Sequence, residues 1–477
     1  MKELAILPLA RPTFDVEFAN ARFQEMLKML GKLDYKITGP ETLLFDLDTA
    51  KAEIDAIAKR APDRVLILQV TFTDAAIAVL AAKTLDAPLS IWAVPEPRLG
   101  GRLRLNAFCG LNLASHALGR NDQSFGYLYA NPEAPQLLSD LELLLAGKRD
   151  SQKLSAALPQ ATEQAQDQSR KERGKAIIDR LEGAKIARIG EHPQGFDTCD
   201  YEQQSLEDRF PVKITKRSLD DFFTAAKAAP ADKVAALHDQ TARYLKGMDE
   251  LNQDELDKSL RLKLALDEWR KQEGFDAFAI RCWPETFTEY GGAVCGPVSM
   301  MGEAKVPCAC EADVYGALSQ LVLLKASDSP VFMVDMVDVD PKDDSVVVWH
   351  CGQAPKSMAQ NDQPMVATIH TNRKMPLLME FALKPGIVTF ARLSRGHGEL
   401  KLVICEGEML ERPMAFTGTS GVVRFGNSAP IFLENLINSG MEHHMALTYG
   451  SWRQDLYDFA AAMNLPVIDL SEKAYSA

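Results

Sequence analysis

The first 145 residues alternate short apolar runs with a stretch of helical periodicity. Apolar runs at residues 4–9, 64–71 and 89–94 predict buried strands, and the apolar repeat over residues 16–30 predicts a helix after the first of them. Strands that alternate with helices form parallel sheets with helices on both faces. The N-terminal part therefore predicts an α/β domain.

A polar segment separates this part from a second α/β unit. Residues 147–175 are rich in Lys, Gln, Asp and Glu, which indicates a solvated helix or a linker at a domain boundary. After it, residues 185–190 predict a strand, and residues 276–282 predict another. A helix begins between them at Asn252, where Glu255 three residues later is consistent with a capping box.

Beyond residue 326 the pattern changes to short β segments separated by Gly and Pro, which is typical of an antiparallel barrel or sandwich. The strands predicted there cover residues 331–339, 345–350, 365–370, 385–393, 400–408 and 421–425, before a helix over 452–463 and a last strand near Val467. The predicted fold class is α/β, with two Rossmann-like α/β domains at residues 1–170 and 171–325 and a C-terminal antiparallel, barrel-like β-rich domain at residues 326–477.

Composition excludes several classes of function. A formal net charge of −13 opposes binding to nucleic acid, which needs a basic face. No apolar run approaches the ~18 residues of a membrane span, and the short N-terminal run contains Glu3, so it predicts a strand and not a signal peptide. The eight cysteines form no CxxC pair and predict buried, reduced thiols. We therefore expect a cytoplasmic protein without a nucleic-acid or membrane partner.

Two acids and three histidines stand in apolar, loop-bounded settings. Glu311 follows a short apolar run, and Asp335 lies inside a predicted strand, where an unpaired carboxylate is costly to bury. His350 ends another strand, and His443 and His444 are adjacent. Neighbouring side chains of an extended segment point opposite ways, so at most one of this pair should face a site. These oxygen and nitrogen donors suit Mn²⁺, Mg²⁺ or Co²⁺.

Plainer interpretations stay open for the same residues. Asp338 and Asp340 indicate a solvated strand end, in which case Asp335 could face solvent as well. A single histidine such as His350 is often a hydrogen-bonded core residue. Trp283 and Glu285 follow a strand of the second unit, at the end where ligands bind in open α/β sheets. The sequence contains no GxGxxG, GxxxxGK[ST], GxSxG or HExxH motif, so nucleotide binding and these hydrolase mechanisms are unsupported.

Several segments resemble, in order along the chain, the L-fucose/L-arabinose isomerase superfamily, and within it the L-fucose isomerase-like proteins. They are residues 9–15, 104–112, 279–285 (AIRCWPE), 308–313 (CACEAD), the strand around Asp335, 349–352 (WHCG) and 442–444 (EHH). The resemblance implies two α/β domains and a β-rich domain. It also implies homo-oligomeric rings, trimers or hexamers, in which the N-terminal domain of a neighbouring subunit closes each site.

The resemblance also implies roles for individual residues. Glu311 and Asp335 match two acidic metal ligands that also transfer protons, and His444, with His443 as the alternative, matches a C-terminal histidine ligand. His350 matches a residue that is a metal ligand in arabinose isomerases. The resemblance therefore implies that His350 either binds the metal or contacts the residues that do.

A substrate pocket is implied by the same resemblance. Arg11 and Trp92 resemble pocket positions that a neighbouring subunit donates, and Trp283 and Glu285 complete the predicted substrate-binding set. Arg11 and Arg281 could serve an anionic substituent. The substrate itself stays open between a deoxyhexose, a pentose and an anionic, for example sulfonated, hexose.

Together these features predict a metal-dependent aldose–ketose isomerase that acts on a free sugar through a cis-enediol. Mn²⁺ is the expected cofactor, with Mg²⁺ and Co²⁺ as alternatives. Two other functions remain: a non-catalytic sugar-binding or regulatory homologue, and a metal-dependent lyase or aldolase that cleaves a carbon–carbon bond.

Overall fold

The computed structural model describes residues 1–148, 168–361 and 363–471, which form three sheets. The N-terminal elements are β1 (Lys2–Leu9), α1 (Val16–Leu30), β2 (Tyr35–Thr38), α2 (Leu47–Arg60), β3 (Arg64–Gln69), α3 (Ala76–Thr84), β4 (Leu89–Ala93), α4 (Ala107–Arg120), β5 (Phe125–Tyr129) and α5 (Leu137–Leu145). The five strands are parallel in the order β2-β1-β3-β4-β5. The α/β domain expected from the alternating pattern is therefore confirmed.

Local signals explain how this sheet is built and where it presents side chains. Asp15 caps α1 by accepting a hydrogen bond from the backbone N–H of Phe18 (3.1 Å), and the helix buries one face that includes Phe23 and Met26. Arg11 lies just beyond the carboxyl end of β1, and Phe72 lies just beyond β3. Neighbouring parallel strands thus deliver these two side chains to the same edge of the sheet.

The second sheet is also parallel. Its region contains α6 (Gln168–Leu181), β6 (Ala184–Ile189), α7 (Gln203–Arg209), β7 (Val212–Arg217), α8 (Leu219–Lys227), α9 (Ala231–Ala242), α10 (Gln253–Glu273), β8 (Ala277–Ile280), a π-helix (Thr286–Tyr290), α11 (Cys295–Glu303), β9 (Cys308–Ala309) and α12 (Val314–Ser327). The strand order is β7-β6-β8-β9. Asn252 caps α10 by accepting from the N–H groups of Asp254 and Glu255 (3.1 and 3.3 Å), which confirms the predicted helix start.

The third sheet has nine strands and a mixed topology. Its elements are β10 (Phe332–Asp340), β11 (Ser345–His350), β12 (Val366–Thr368), β13 (Leu378–Ala382), β14 (Gly386–Ser394), β15 (Lys401–Met409), β16 (Thr419–Phe425), α13 (Ala429–Ser439), β17 (His444–Tyr449), α14 (Arg453–Met463) and β18 (Val467–Asp469). The order is β12-β13-β16-β11-β10-β17-β14-β15-β18, and pairing of β15 with β16 closes the six central strands into a barrel.

The strands of the closed barrel pair antiparallel, while the outer pairs β13–β16 and β15–β18 are parallel. The barrel-like C-terminal region is thus confirmed. Short 3₁₀ helices cover Asp197–Cys199, Met248–Glu250, Cys310–Ala312, Lys356–Met358 and Gly396–Gly398.

The three sheets fall within the three predicted domain ranges, whose exact boundaries stay predictions. Most of the polar segment at residues 147–175 and the last six residues lie outside the described residues, and α6 begins at Gln168. One apolar cluster includes Phe72, Phe196 and Trp349 and so joins side chains of all three regions. Among the helices that the structure describes, none is long and apolar enough to cross a membrane.

The expectation that Asp338 lies at a solvated strand end is wrong. Its side chain is buried, its carboxylate pairs with Arg98 (2.5 Å), and it accepts a hydrogen bond from the hydroxyl of Tyr129 (2.6 Å). Both partners belong to the N-terminal region, which packs against β10. A strand pattern alone cannot reveal a partner 200 or more residues away.

Candidate functional site

Glu311 and Asp335 belong to different sheets, yet both approach the same histidine nitrogen. The Nε2 atom of His444 lies 3.9 Å from a carboxylate oxygen of Glu311 and 3.6 Å from Oδ1 of Asp335. Asp335 on β10 is directly opposite His444 on the antiparallel neighbour β17, and Glu311 follows β9 of the second sheet. The fold therefore brings the three predicted metal-binding side chains together.

A buried carboxylate orients the His444 ring. The Nδ1 atom of His444 lies 3.1 Å from Oδ2 of Asp313. A carboxylate only accepts hydrogen bonds, so Nδ1 carries the proton and donates it. The lone pair of Nε2 is left facing Glu311 and Asp335. Metal-binding histidines commonly have this carboxylate partner, which fixes the tautomer and the ring orientation.

The donor set fits a divalent cation. Oδ1 of Asp335 is buried and has no hydrogen-bond partner among the described residues, and such an atom is costly unless a ligand satisfies it. Three groups of side chains each have potential ligand atoms within 4.8 Å of one another: Glu311, His443 and His444; Asp335, His350 and His444; and Cys199, Asp313 and His444. Carboxylate oxygens with imidazole nitrogens suit a hard or borderline metal ion.

Both histidines of the 443–444 pair face the site, so the expectation that only one would is wrong. Nε2 of His443 lies 3.2 Å from Glu311, and the two imidazole centroids are 3.8 Å apart. The expectation assumed an extended segment, but β17 begins at His444 and His443 lies in the bend before it. Burial lowers the pKa of His443, but the hydrogen bond and charge of Glu311 outweigh it and raise this pKa.

Glu311 is held by its neighbours in an unusual backbone conformation. Burial raises the pKa of Glu311, but its hydrogen bonds with His443 and with the indole N–H of Trp283 (3.0 Å) contribute to a net lowering, which favours the carboxylate. Glu311 has φ 59°, and Ala312 after it has φ 55°. Non-glycine residues in this region cost about 1–3 kcal/mol each and cluster at functional sites. The strain is consistent with a precisely placed carboxylate.

The hydrogen bonds of His350 favour one tautomer. The backbone N–H of Cys351 donates to its Nδ1 (2.9 Å). A proton on Nδ1 would oppose this donor, so Nε2 carries the ring proton. His350 thus presents an N–H group toward the site and not a lone pair.

A fully buried guanidinium links two acids behind the site. Arg392 forms an ion pair and hydrogen bonds with Asp313 and lies 3.5 Å from Glu442; the three side chains are 0, 1 and 3% exposed. Burial raises the pKa of Asp313, but Arg392 and His444 outweigh it and hold this pKa well below its usual range. The sequence patterns singled out neither Asp313 as a partner of His444 nor Arg392.

Replacing Asp313 should test this electrostatic network through pH. A carboxylate whose pKa is depressed by folding contributes stability above its unfolded pKa, and this contribution is lost as pH falls through the folded pKa. Asp313→Asn should therefore lower the urea midpoint of unfolding more at about pH 7 than at about pH 3, because near the lower pH this carboxyl is already largely protonated in the unfolded chain and part of its contribution is lost. A deficit that stays constant between the two pH values would contradict the assigned pKa shift.

An open cavity of about 750 Å³ lies beside these groups, and residues of all three regions line it. Its lining is Arg11, Thr13, Phe14, Phe72, Asn106, Cys282, Trp283, Phe287, Cys295, Cys310, Glu311, Asp335, Trp349, His350, Cys351, His370, Asn372, Arg373 and His443. Arg11 thus lies in the pocket of its own chain, and the donation of pocket residues by a neighbouring subunit stays a prediction. The contacts between the three regions of one chain already place it there.

The other predicted substrate-binding residues divide between pocket and scaffold. Trp283 lines the pocket. Trp92 is fully buried in the N-terminal core, where its indole donates to the carbonyl of Ala130, so the structure does not bring it to the pocket. Glu285 pairs with Arg281 (2.5 Å) and does not line the pocket. Arg281 is therefore already neutralised and is not the expected partner of an anionic substituent.

A larger cavity of about 1100 Å³ opens elsewhere, between α9, α10 and α11. Lys233, Lys263 and Lys356 line it together with Asp267 and Glu303, and the described lining contains neither histidine nor cysteine. Glu311, Asp335, His350 and His443 line the smaller cavity, which we take as the candidate active site.

Comparison with known proteins agrees with this architecture. Residues 5–149 match the family model of the fucose/sulfoquinovose isomerase N-terminal domain, and residues 348–471 match that of the L-fucose isomerase C-terminal domain. A protein named sulfoquinovose isomerase from Alkalicoccus urumqiensis is 30% identical over 476 residues, covering 98% of this chain and 100% of that protein.

Proteins of the same name from Priestia aryabhattai and from Clostridium sp. (strain MSTE9) are each 28% identical, over 460 and 467 residues. These alignments cover 96% and 97% of this chain and 97% and 98% of the two relatives. The similarity therefore spans nearly the whole chain. The chain belongs to the L-fucose isomerase-like family of aldose–ketose sugar isomerases.

Proposed function

We propose that this isomerase is metal-dependent and interconverts an aldose and a ketose through a cis-enediol, with Glu311 and Asp335 as proton-transfer groups. The observation that supports this most is the meeting of two buried carboxylates at Nε2 of His444, with Oδ1 of Asp335 lacking a partner among the described residues. These three side chains would hold a divalent cation, Mn²⁺ before Mg²⁺ or Co²⁺. When bound there, the cation supplies Lewis-acid polarisation of the sugar carbonyl.

The protein groups account for the proton movements. Isomerisation removes a proton from the carbon next to the carbonyl and returns one to the former carbonyl carbon. Glu311 and Asp335 both line the cavity, and the hydrogen bonds of Glu311 from Trp283 and His443 favour its basic form. One carboxylate removes the first proton, and the same or the other carboxylate returns it. Such acid–base help typically contributes ~10²–10⁴-fold.

His350 then has a role other than ligation. Its ring proton lies on Nε2, as the contact from Cys351 requires, and the side chain lines the cavity. We assign it as a hydrogen-bond donor to a sugar oxygen or to Asp335. His443 holds Glu311 in place.

The substrate that we propose is a hexose with a sulfonate substituent. The full-length relatives are named sulfoquinovose isomerases, and the cavity contains two guanidinium groups, those of Arg11 and Arg373. Membership in an isomerase family argues against the two rival functions, a non-catalytic sugar binder and a lyase or aldolase. The trimeric or hexameric assembly and the cytoplasmic location remain predictions.

Removal of the metal tests the proposal. Chelation should abolish isomerisation, and Mn²⁺ should restore it. His444→Ala should weaken Mn²⁺ binding by more than about 100-fold. The variant loses a direct ligand, and loss of even a group that only hydrogen-bonds a ligand lowers metal affinity by about 10–100-fold. Titration calorimetry measures this affinity directly.

His238→Ala is the matched control, since His238 lies outside the site and should leave Mn²⁺ affinity unchanged. Full activity after exhaustive chelation, or equal affinities in the two variants, would contradict the metal site.

A further inference from the structure

The cavity holds two arginines in different electrostatic states. Arg11 forms an ion pair with Asp74 (2.7 Å). Among the residues that the structure describes, no carboxylate lies within ion-pair distance of the Arg373 guanidinium. Its contacts are instead aromatic: the Cζ atom lies 4.7 Å from the ring centroid of Trp283 and 5.5 Å from that of Phe287. Arg373 is thus the cation of this pocket without an acidic partner.

An unpaired, partly buried guanidinium is costly unless a ligand compensates it. Burial lowers the pKa of Arg373, and the charge of Arg11 lowers it further; arginine nevertheless stays charged in proteins. Contact with two aromatic rings stabilises the charge of the guanidinium and leaves N–H donors for another partner. This arrangement is suited to an anion with several oxygens.

Trp283 connects this cation to the reacting end of the site. The indole N–H donates to Glu311 (3.0 Å), while the guanidinium of Arg373 lies over the ring of the same indole. The proton-transfer carboxylate and the cation are thus separated by one indole side chain. A sugar whose carbonyl end lies at Glu311 and Asp335 can therefore extend its other end to Arg373.

A second polar group lies on the same wall of the cavity. Asn372 lines the pocket, and its Oδ1 accepts a hydrogen bond from Arg102 (2.9 Å). That bond fixes the amide, whose nitrogen is the donor end. Asn372 can thus add a neutral donor beside the charged fork of Arg373.

We propose that Arg373 is the specificity-determining residue of this enzyme, binding the anionic substituent at the end of the sugar remote from the carbonyl. The assignment rests on the proposed function, because that function places the carbonyl end at the two carboxylates. The planar fork of arginine can donate two parallel hydrogen bonds to sulfonate oxygens. Arg11, already paired with Asp74, adds positive potential.

The test compares two sugars that differ in the anionic group alone. Sulfoquinovose and 6-deoxyglucose are assayed with the Mn²⁺-loaded full chain, as wild type, Arg373→Met and Arg373→Lys. Methionine keeps apolar contact with the rings without the charge. We expect Arg373→Met to raise KM for sulfoquinovose by ~10–100-fold with little change in kcat, since a hydrogen bond to a charged group contributes this much. The kinetics with 6-deoxyglucose should stay as in the wild type.

Arg373→Lys should retain part of the selectivity for sulfoquinovose over 6-deoxyglucose, because lysine keeps the positive charge but cannot donate two parallel hydrogen bonds. Arg243→Met, an exposed arginine outside the site, is the matched control and should change neither sugar's kinetics. If Arg373→Met lowered kcat/KM equally for both sugars, Arg373 would only maintain the shape of the pocket, and the proposal would be overturned. Unchanged KM for sulfoquinovose would overturn it as well.

A binding measurement separates this proposal from the proposed function. Sulfoquinovose binding to chelated, metal-free protein is measured by titration calorimetry for wild type and Arg373→Met. A weaker affinity in the variant supports the role of Arg373 even if the loaded protein fails to isomerise the sugar. Identical affinities contradict the role of Arg373 even if isomerisation is observed.

Discussion

Glu311→Gln and Asp335→Asn are each expected to abolish hydrogen exchange at C2 of the aldose substrate. Either change keeps the shape of the side chain but removes a base that must take or return a carbon-bound proton, and a metal ligand as well. We expect the rate of C2 proton exchange to fall by ~10²–10⁴-fold, the usual contribution of acid–base catalysis, or by more. The measurement follows the C2 proton by NMR while Mn²⁺-loaded protein is incubated with sulfoquinovose in D₂O.

Glu408→Gln is the matched control for this experiment. Glu408 lies on β15 of the barrel sheet and is exposed to solvent, so its amide variant should exchange the C2 proton at the wild-type rate. All three variants should keep the circular dichroism spectrum of the wild type. Near-normal exchange in Glu311→Gln or in Asp335→Asn would remove that residue from the mechanism.

Arg392→Met should cause the largest loss of stability. The guanidinium is fully buried between Asp313 and Glu442, so its removal leaves two buried carboxylates without their cation. Breaking a buried ion pair in this way costs about 3–5 kcal/mol. We expect a clear drop in the thermal and urea midpoints, and weaker Mn²⁺ binding because Asp313 no longer holds the His444 ring.

Arg412→Met provides the comparison, since Arg412 pairs with Asp343 at the surface (3.0 Å, 46 and 34% exposed). Exposed pairs are worth about 0–1 kcal/mol, so this variant should unfold close to the wild type. Adding Asp313→Asn and Glu442→Gln to Arg392→Met should recover part of the lost stability by removing the unpaired charges. Equal midpoints for the two single arginine variants would contradict the role of the buried network.

Helices and strands were predictable where their sequence signals lie within the element itself. The helix over residues 16–30 and the strand over residues 345–350 have the expected bounds, because apolar periodicity and an Asp cap act within a few residues. The carboxylates and His444 were found from residue types in apolar settings and from resemblance. Their convergence depends on β10 pairing with β17 and on the position of Glu311 after β9.

Features that depend on distant partners were not predictable. Asp338 resembled a solvated strand end because Arg98 and Tyr129 are remote in sequence. Arg373 lies in a polar Thr-Asn-Arg-Lys segment that is typical of an exposed loop, and its stacking on Trp283 appears only once the chain is folded. The His443–His444 pair was misjudged because the strand begins one residue later than an extended pair requires.

The central claim is that Glu311, Asp335 and His444 bind one ion. Anomalous diffraction from crystals grown with Mn²⁺ tests it most directly. We expect a single strong peak with carboxylate oxygens of Glu311 and Asp335 and Nε2 of His444 as ligands, at about 2 Å each. A manganese peak on the other side of His444, between Cys199 and Asp313, or no peak shared by the three side chains, would contradict it.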